Sequence, residues 1–326
     1  MITVICGGVG AARFLRALRH LDEQQPGDHA IEGPVVGVVN TGDDTTLHGL
    51  AISPDLDTIT YTLAGAIDPT RGWGLVDETW VAMASLARYA AVRPDGSAAA
   101  PTWFNLGDRD LATHFYRTAR LQEGATLTEV TGEIVEAWGL GERLIPMTDD
   151  TVSTVVELAD GREVSFQEYF VQLQHGVPIR GVRFAGAADA RMQPSAVAAI
   201  RDADVVVIAP SNPIVSIGPL RALDGFDALL AARRDSIVAV SPIIGGAALK
   251  GPADRMLTEL GMEASVVGVA RLYAPIAAAL VIDPIDAHLA DEVKAAGMRA
   301  IVVPSIMSSP EVAAELARTT LGAAAR

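Results

Sequence analysis

Four residues near the start of the chain, Gly7-Gly8-Val9-Gly10, have the composition of a phosphate-binding turn. They follow a short apolar run and open a segment of helical periodicity. Glycine lets backbone N–H groups approach a phosphate closely, and the N-terminus of a helix favours negative charge. The sequence therefore predicts a phosphate-bearing ligand at this turn, with a turn needed only for packing as the alternative.

The turn departs from two common nucleotide-binding patterns. Arg13 stands where G-x-G-x-x-G has its third glycine, and no Gly-Lys-Ser/Thr follows as in a Walker loop. The second predicted strand ends at Asn40 and lacks the acidic residue that holds a ribose in NAD-binding proteins. A nicotinamide oxidoreductase is therefore a disfavoured alternative.

Two acid-rich runs come after the second predicted strand: Asn40-Thr41-Gly42-Asp43-Asp44 and Pro54-Asp55-Leu56-Asp57-Thr58. Their carboxylates are expected to meet at the carboxyl edge of a sheet, near the glycine turn. Carboxylate oxygens beside a phosphate suit Mg²⁺, which uses one or two carboxylates, waters and the substrate's own phosphates. Each aspartate taken singly is also common in turns and helix caps.

Further polar loops occur later in the chain. In Leu106-Gly107-Asp108-Arg109-Asp110, Asp108 either caps the following helix or contacts a ligand. Arg109 either clamps an anion or forms a surface ion pair with Asp108 or Asp110. A second loop of this kind is Pro146-Met147-Thr148-Asp149-Asp150.

Two loops of the C-terminal half, Pro210-Ser211-Asn212-Pro213 and Ser241-Pro242-Ile243-Ile244-Gly245-Gly246, each follow an apolar predicted strand. Ligands of open α/β sheets bind outside the carboxyl ends of the strands, so these polar groups are expected to face the same crevice. The amide of Asn212 suits a nucleobase edge. Turn formation alone would also explain these residue types.

Aromatic and histidine residues narrow the choice of chemistry. Four tryptophans could stack on a flat ring system or serve core packing: Trp73, Trp80, Trp103 and Trp138. The six histidines, none in a His-x-x-x-His spacing, are His20, His29, His48, His114, His175 and His288. The chain also contains no Gly-x-Ser-x-Gly motif. Zinc hydrolase and serine esterase chemistry are therefore disfavoured.

Composition bounds the class of protein. The 326 residues include 25 basic and 40 acidic side chains, a net charge of −15, with 50% apolar residues and one cysteine. A folded globular protein is expected, and binding to nucleic acid or anionic membranes is disfavoured. Cys6 alone can form neither an intrachain disulfide nor a cysteine zinc site. The N-terminus resembles no signal peptide, so a cytoplasmic protein is expected.

Short β-branched runs alternate with helical periodicity, which predicts an α/β fold: a Rossmann-like, mostly parallel sheet with helices on both faces. One domain spanning residues 1–326 is expected, with a helical and hairpin insertion at about 70–175 over the strand ends. The predicted strands are Ile2–Cys6, Val35–Asn40, Val205–Ala209, Ile237–Val240, Val266–Val269, Ala279–Ile282 and Ala300–Val303. The predicted helices are Ala12–Leu21, Asp77–Arg88, Asp108–Leu121, Leu127–Trp138, Ser195–Ala203, Ser216–Arg233, Pro252–Leu260, Asp286–Ala296 and Pro310–Leu321, with a hairpin over Asp150–Phe170.

Taken in order, these motifs resemble one family, the transferases that attach 2-phospholactate or phosphoenolpyruvate to the deazaflavin Fo in coenzyme F-420 biosynthesis. The resemblance covers about nine tenths of the chain. Its matching stretches are Gly7–Gly10, Asn40–Asp44, Pro54–Thr58, Arg71–Gly74, Asp77–Thr79, Leu106–His114, Pro146–Thr154, Pro210–Pro219 and Ser241–Gly246.

The resemblance implies a reaction in which the ribityl hydroxyl of Fo attacks a guanosine diphosphate conjugate of a three-carbon acid, releases GMP and forms a phosphodiester with Mg²⁺. Gly7, Gly8, Val9 and Gly10 would hold the diphosphate. Asp43, Asp44 and Asp57 would position the metal, and Asp57 and Asp43 would be the catalytic residues, with Asp57 orienting the hydroxyl.

The resemblance also implies contacts to the two ends of the substrates. Ser211, Asn212, Gly245 and Gly246 would hold the guanosine, and Trp73, Asp108 and Arg109 would cover the deazaflavin. A homodimer is expected by family analogy. Whether the acid is lactate, enolpyruvate or glycerate stays open, and the alternative is a non-catalytic, sugar-nucleotide-binding regulatory protein of the same fold superfamily.

Overall fold

A computed structural model describes residues 1–23 and 33–324 of the chain. Its β-structure comprises one large sheet, one three-stranded sheet and two small hairpins. The strands are β1 (Ile2–Cys6), β2 (Val35–Val39), β3 (Thr45–Leu47), β4 (Leu50–Ile52), β5 (Arg143–Pro146), β6 (Ser153–Leu158), β7 (Glu163–Ser165), β8 (Ile179–Ala185), β9 (Val205–Ile208), β10 (Ile237–Val240), β11 (Ile243–Ile244), β12 (Ala247–Ala248), β13 (Ala279–Ile282) and β14 (Arg299–Val302).

The helices alternate with these strands. They are α1 (Gly8–Glu23), α2 (Pro54–Leu63), α3 (Val81–Ala90), α4 (Asp110–Gln122), α5 (Leu127–Ala137), α6 (Pro194–Asp202), α7 (Gly218–Arg221), α8 (Phe226–Ala231), α9 (Ala253–Glu259), α10 (Val266–Tyr273), α11 (Ala290–Ala295) and α12 (Pro310–Gly322). A π-helical turn spans Glu168–Gln172, and 3₁₀ turns span Arg234–Ser236 and Pro284–Leu289. Among the described residues, no helix is both long enough and apolar enough to cross a membrane.

The large sheet has the order β14-β13-β10-β9-β1-β2-β5, and all its strand pairs are parallel. The chain builds outward from β1 through β2 to β5, and then returns to build outward from β9 on the other side of β1. The order therefore reverses between β1 and β9, where open α/β sheets form a crevice at the carboxyl ends of the strands.

Each strand of the sheet contributes side chains to two separate cores because successive residues point to opposite faces. Val4 and Cys6 pack with α1 and α12 on one face, whereas Ile5 packs with α6, α8 and α10 on the other. The predicted α/β, Rossmann-like class with helices on both faces is confirmed.

The insertion predicted at about 70–175 contains a strand of the main sheet, because β5 pairs with β2 at its edge. The chain outside the sheet therefore forms two excursions. The first runs from the β3–β4 hairpin to α5. The second is the three-stranded sheet β7-β6-β8, which includes the predicted hairpin. The predicted division of the chain into one domain with an inserted subdomain stays a prediction.

Three predicted elements of the C-terminal half were wrong in type or extent. Val266–Val269 is helical and belongs to α10, whose N-terminal N–H groups are capped by Ser265 Oγ. The helix predicted over Ser216–Arg233 is broken into α7 and α8 at Gly225, which has φ of 78°. The one predicted over Asp286–Ala296 begins as a 3₁₀ turn before α11. His29 lies outside the described residues.

Candidate active site

The glycine turn lies at the point where the strand order reverses. Ser211 Oγ, in the loop after β9, donates a hydrogen bond to the Gly7 carbonyl (2.8 Å) and accepts one from the Gly7 N–H (3.3 Å). A Cβ at Gly7 would lie 2.6 Å from Ser216 Cβ, and one at Gly10 would lie 2.0 Å from the Pro210 carbonyl oxygen. Packing between the β1 and β9 loops therefore requires both glycines, whether or not a phosphate binds there.

Asp55 connects this turn to the loop after β2. Its Oδ2 accepts a hydrogen bond from Asn40 Nδ2 (2.9 Å), and the Gly8 backbone also hydrogen-bonds to its carboxylate. An internal carboxylate thus lies at the N-terminus of α1, the position where a ligand's phosphate was expected. Burial raises the pKa of Asp55 to about 6, and the hydrogen bonds from Asn40 and Gly8 limit that rise.

Asp43 and Asp44 complete an acidic cluster with Asp55. Asn40 Nδ2 also donates to Asp43 Oδ2 (3.3 Å), and Ser53 Oγ donates to Asp44 Oδ2 (2.6 Å). Burial, and then the neighbouring charge of Asp55, raises the pKa of Asp43 well above its usual range. The pKa of Asp44 is raised as well, chiefly by burial. Asp43 and Asp44, which the resemblance assigned to the metal together with Asp57, therefore lie in one cluster with Asp55.

A cavity of about 610 Å³ opens beside Asp43 and Asp44. It lies between the loop after β2, the C-terminal half of α4 and the loop before β6. Gly7–Gly10 do not line it, so this cavity does not include the glycine turn. Its lining residues are Thr41–Thr46, Ala51–Ser53, Arg117, Leu121, Ala125–Leu127, Asp149–Thr154 and Ser165–Gln167.

The cluster has the donor set that Mg²⁺ prefers. Asp44 Oδ1 and Thr41 Oγ1 are buried and have no hydrogen-bond partner among the described residues. Within residues 1–23 and 33–324, no three acidic, histidine or cysteine side chains form a ready metal-ligand group. Mg²⁺ needs only one or two protein carboxylates, because waters and substrate phosphates supply the other ligands. Asp43 and Asp44 therefore fit this ion.

Asp57 faces a different partner from the one expected. Arg117 of α4 donates to both of its carboxylate oxygens, from Nη1 to Oδ2 (3.1 Å) and from Nη2 to Oδ1. Both side chains are buried. Burial alone would lower the pKa of Arg117, but the Asp57 carboxylate outweighs this and raises it. Asp57 thus neutralises a buried arginine, which makes it a poor metal ligand.

The buried face of α4 extends this network away from the cavity. His114 Nδ1 lies 3.8 Å from Asp57 Oδ2, and its Nε2 lies 3.4 Å from Asp110 Oδ2. Tyr61 of α2 donates its hydroxyl hydrogen to Asp110 Oδ1 (2.6 Å). The spacing Asp110, His114, Arg117 places these residues on one helix face.

The residues expected at the guanosine end have structural partners of their own. Asn212 Oδ1 accepts hydrogen bonds from the backbone N–H groups of Ile214 (2.9 Å) and Val215 (3.4 Å), and its Nδ2 lies 3.7 Å from Met256 Sδ. Gly245 and Gly246, at φ of 59° and 81°, form the turn of the β11–β12 hairpin. The amide of Gly245 donates to Asp286 Oδ2 (2.9 Å).

The residues expected over the deazaflavin divide into two groups. Trp73 is 43% exposed and packs edge-on against Trp80, and the Arg71 guanidinium lies over both rings. Asp108, in contrast, accepts hydrogen bonds from the backbone N–H groups of Val81 (2.9 Å) and Ala82 (3.0 Å). It therefore caps α3, whereas the sequence suggested a cap on the helix that follows it.

Arg109 is held at the same junction. Its guanidinium donates to the Val76 carbonyl (2.8 Å), and its backbone N–H donates to Glu78 Oε2 (2.9 Å). Neither expected ion pair, with Asp108 or with Asp110, forms. The sequence placed Asn40 and Asp55 in the two acid-rich runs but gave neither a role in the site, and Arg117 was not singled out. The helical spacing of Asp110, His114 and Arg117 was the one pattern that could have indicated a buried charged face.

Comparisons with known proteins point to one family. The profile of the family described as 2-phospho-L-lactate transferase CofD matches residues 2–312. A phosphoenolpyruvate transferase of Kitasatospora aureofaciens is 42% identical, covering 99% of this chain and 97% of the relative. A protein of the same name from Mycobacterium tuberculosis is 40% identical, covering 97% and 96%.

A solved structure shares the fold. A Bacillus halodurans protein of the UPF0052 family aligns over 98% of this chain and 99% of its own, with a TM-score of 0.61 and 15% identity. That identity supports the fold alone. The profile match and the identity of the relatives show more: this chain belongs to the 2-phospho-L-lactate transferase family.

Proposed function

We propose that this protein transfers a phosphorylated three-carbon acid from a guanosine diphosphate conjugate to the ribityl hydroxyl of the deazaflavin Fo. The observation that carries the proposal is the acidic cluster formed by Asp43, Asp44 and Asp55. It lies beside a cavity at the carboxyl edge of the main sheet, in a chain that belongs to this transferase family. Its two cavity-lining carboxylates fit the ion that accompanies phosphate transfer. The names of the relatives favour enolpyruvate as the acid.

The proposed reaction is a substitution at phosphorus. The hydroxyl oxygen of Fo forms a bond to the phosphorus that carries the acid, and the bond from that phosphorus to the bridging oxygen breaks. GMP leaves with the bridging oxygen, and the hydroxyl proton passes to a nearby carboxylate or to solvent. Because positioning and charge neutralisation dominate such transfers, a strongly basic side chain is not required.

Asp43 and Asp44 are proposed to hold Mg²⁺, which when bound would neutralise charge on the phosphates. Without a cation, the three aspartates of the cluster resist ionising together, as the raised pKa values of Asp43 and Asp44 indicate. Asp57 is proposed to position Arg117 and α4, since both its oxygens accept hydrogen bonds from that arginine.

Binding of the two ends of the substrates is proposed at the crevice on either side. The loops after β9 and β10, with Ser211, Asn212 and the Gly245–Gly246 turn, would bind the guanosine. The exposed ring of Trp73 is proposed to stack on the deazaflavin. Asp108 and Arg109 support this surface through the helix junction that they stabilise.

Mass spectrometry of the product tests the proposal. Fo, Mg²⁺ and the guanylylated forms of enolpyruvate, lactate and glycerate are incubated in turn with the protein. We expect a product with the mass of the phosphodiester and one GMP per product, most rapidly with enolpyruvate. Asp43→Asn should reduce turnover roughly a hundredfold. Binding of a nucleotide sugar without any product would favour the regulatory alternative.

A further inference from the structure

Arg117 is the one basic side chain among the residues that line the cavity in the described part of the chain. Four aspartates line the same cavity, Asp43, Asp44, Asp149 and Asp150. An anionic ligand that enters it therefore meets one guanidinium, which is already paired with Asp57. Arg117 lies on α4, and its side chain is only 2% exposed, so its position is fixed.

The donors of Arg117 are only partly used within the protein. Nη1 and Nη2 bind the Asp57 carboxylate, and Nη1 also approaches the Ala51 carbonyl and His114 Nδ1 (3.4 Å each). Nε is buried and has no hydrogen-bond partner among the described residues. Leaving a buried charged donor without an acceptor is costly, so an acceptor supplied by a ligand would remove this cost.

The geometry points to a role for Arg117 beyond neutralising Asp57: we propose that it binds the carboxylate of the three-carbon acid and so selects acids over neutral alcohols as the transferred group. This inference rests on the proposed function. The phosphates of the same donor would be neutralised by the cation at Asp43 and Asp44. The carboxylate, several bonds away, needs a separate cationic partner, and a guanidinium with a free N–H offers the matching geometry.

A purely structural role for Arg117 makes a different prediction. If the arginine only compensates Asp57, its replacement alters stability and weakens all donors by a similar factor. If it binds the carboxylate, its replacement abolishes the difference between donors with and without that group. The distinguishing quantity is therefore a ratio of affinities.

The experiment compares two synthetic donors by isothermal titration calorimetry with Mg²⁺ and without Fo. One is guanosine diphosphate esterified to the hydroxyl of lactate, and the other is its ester with 2-propanol, in which a methyl group replaces the carboxylate. We expect the wild type to bind the lactate ester roughly ten to a hundred times more tightly. In Arg117→Lys, which retains the charge but lacks the fork and Nε, this preference should fall to about threefold or less.

A matched control is available on the same helix. Arg120 is bound to Glu133 outside the cavity lining, so Arg120→Lys should keep the full preference. If Arg117→Lys fails to fold, as judged by circular dichroism, the double variant Arg117→Gln with Asp57→Asn replaces it. That variant removes both buried charges together. It too should bind the two esters almost equally.

Two results would overturn the inference: no preference in the wild type, or an unchanged preference in the Arg117 variants, which includes equal weakening of both esters. Because the measurement omits the acceptor and turnover, it is separate from the test of the proposed function. A carboxylate preference without product formation would contradict the transfer reaction while supporting the role of Arg117.

Discussion

Asp55 occupies an unusual position for a carboxylate, because it lies at the N-terminus of α1 and yet belongs to a cluster of buried acids. The helix N-terminus and Asn40 favour its charged form, whereas burial opposes it. Burial prevails, and the pKa stands at about 6 against 3.8 for an ordinary aspartate. A folded-state pKa above the unfolded value means that the folded protein binds the proton more tightly.

The difference between the folded and unfolded pKa values of Asp55 determines how the free energy of unfolding changes with pH. The stability contributed by Asp55 is present below about pH 4 and is lost as the pH rises through about 6. Relative to Asp55→Asn, the free energy of unfolding of the wild type should therefore fall between pH 4 and pH 7, by on the order of 2 to 3 kcal/mol. Urea unfolding with a chelator present measures this, and parallel pH profiles for the two proteins would contradict the raised pKa.

Asp55 and Asp57 show which contacts of the site could be predicted from the sequence and which could not. The acid-rich run predicted that carboxylates would meet near the glycine turn, and Asp43, Asp44 and Asp55 do so. Residues two apart on a helix point to different sides, so Asp55 faces the glycine turn and Asp57 faces α4. Which of the two faces which partner depends on the placement of α4, a contact between segments about 60 residues apart that no local pattern encodes.

At the scale of elements, α3 and α4 cap each other. Asp108, just before α4, accepts hydrogen bonds from the first N–H groups of α3. Glu78, just before α3, accepts hydrogen bonds from the N–H groups of Arg109 and Asp110 at the start of α4 (2.9 Å each). A Cβ at Gly107 would lie 2.1 Å from the Glu78 carboxyl carbon, so a side chain there would displace Glu78 from these hydrogen bonds.

Because Asp108 caps α3, we expect its replacement to change the stability of the protein and to leave its activity unchanged. Asp108→Ala should lower the free energy of unfolding and the midpoint of thermal unfolding, because it removes the acceptor for the α3 N-terminus. Asp108→Asn retains an acceptor and should stay close to the wild type. Thermal unfolding and the KM for Fo are measured on both variants. A KM that rises in parallel in both, with no loss of stability, would instead indicate a contact with the deazaflavin.

Elements of the C-terminal half illustrate where local patterns mislead. Val266–Val269 has the β-branched residues of a buried strand, but a short apolar run fits a buried helix equally well. Ser265 favours the helix, because its Oγ accepts hydrogen bonds from the backbone N–H groups of Val267 and Gly268 and caps the helix start. In the main sheet, in contrast, β1, β2, β9, β10, β13 and β14 were placed within a residue of their observed ends.

For the molecule as a whole, the alternation of strands and helices was sufficient to predict the sheet and its two helical layers. This alternation did not predict the position of β5, because this short strand pairs with β2 across more than 100 intervening residues. The acidic cluster likewise joins distant parts of the chain. Asn40 donates to the Val215 carbonyl (3.4 Å), and Gln167 donates to the Asp43 carbonyl (3.2 Å).

A cation at this junction should therefore stabilise the entire fold. At a Mg²⁺ concentration of about a hundred times its Kd, the free energy of unfolding should rise by about 2.7 kcal/mol. Asp43→Asn should abolish most of this increase, whereas Asp22→Asn, on the exposed side of α1, should preserve it. Denaturant unfolding with Mg²⁺ or a chelator measures the difference. An equal response of Asp43→Asn and the wild type would place the ion elsewhere.

Cys6 ends β1, a strand paired on both sides by β9 and β2, with its side chain fully buried, and burial raises the pKa of its thiol well above the usual value. Because the chain contains no other cysteine, maleimide probes should leave the native protein unlabelled. A cysteine introduced at Tyr89, an exposed position on α3 that leaves Trp73 intact, would then carry a fluorophore alone, which would allow substrate docking to be followed optically. Slow labelling of Cys6 itself would report how often the centre of the sheet opens.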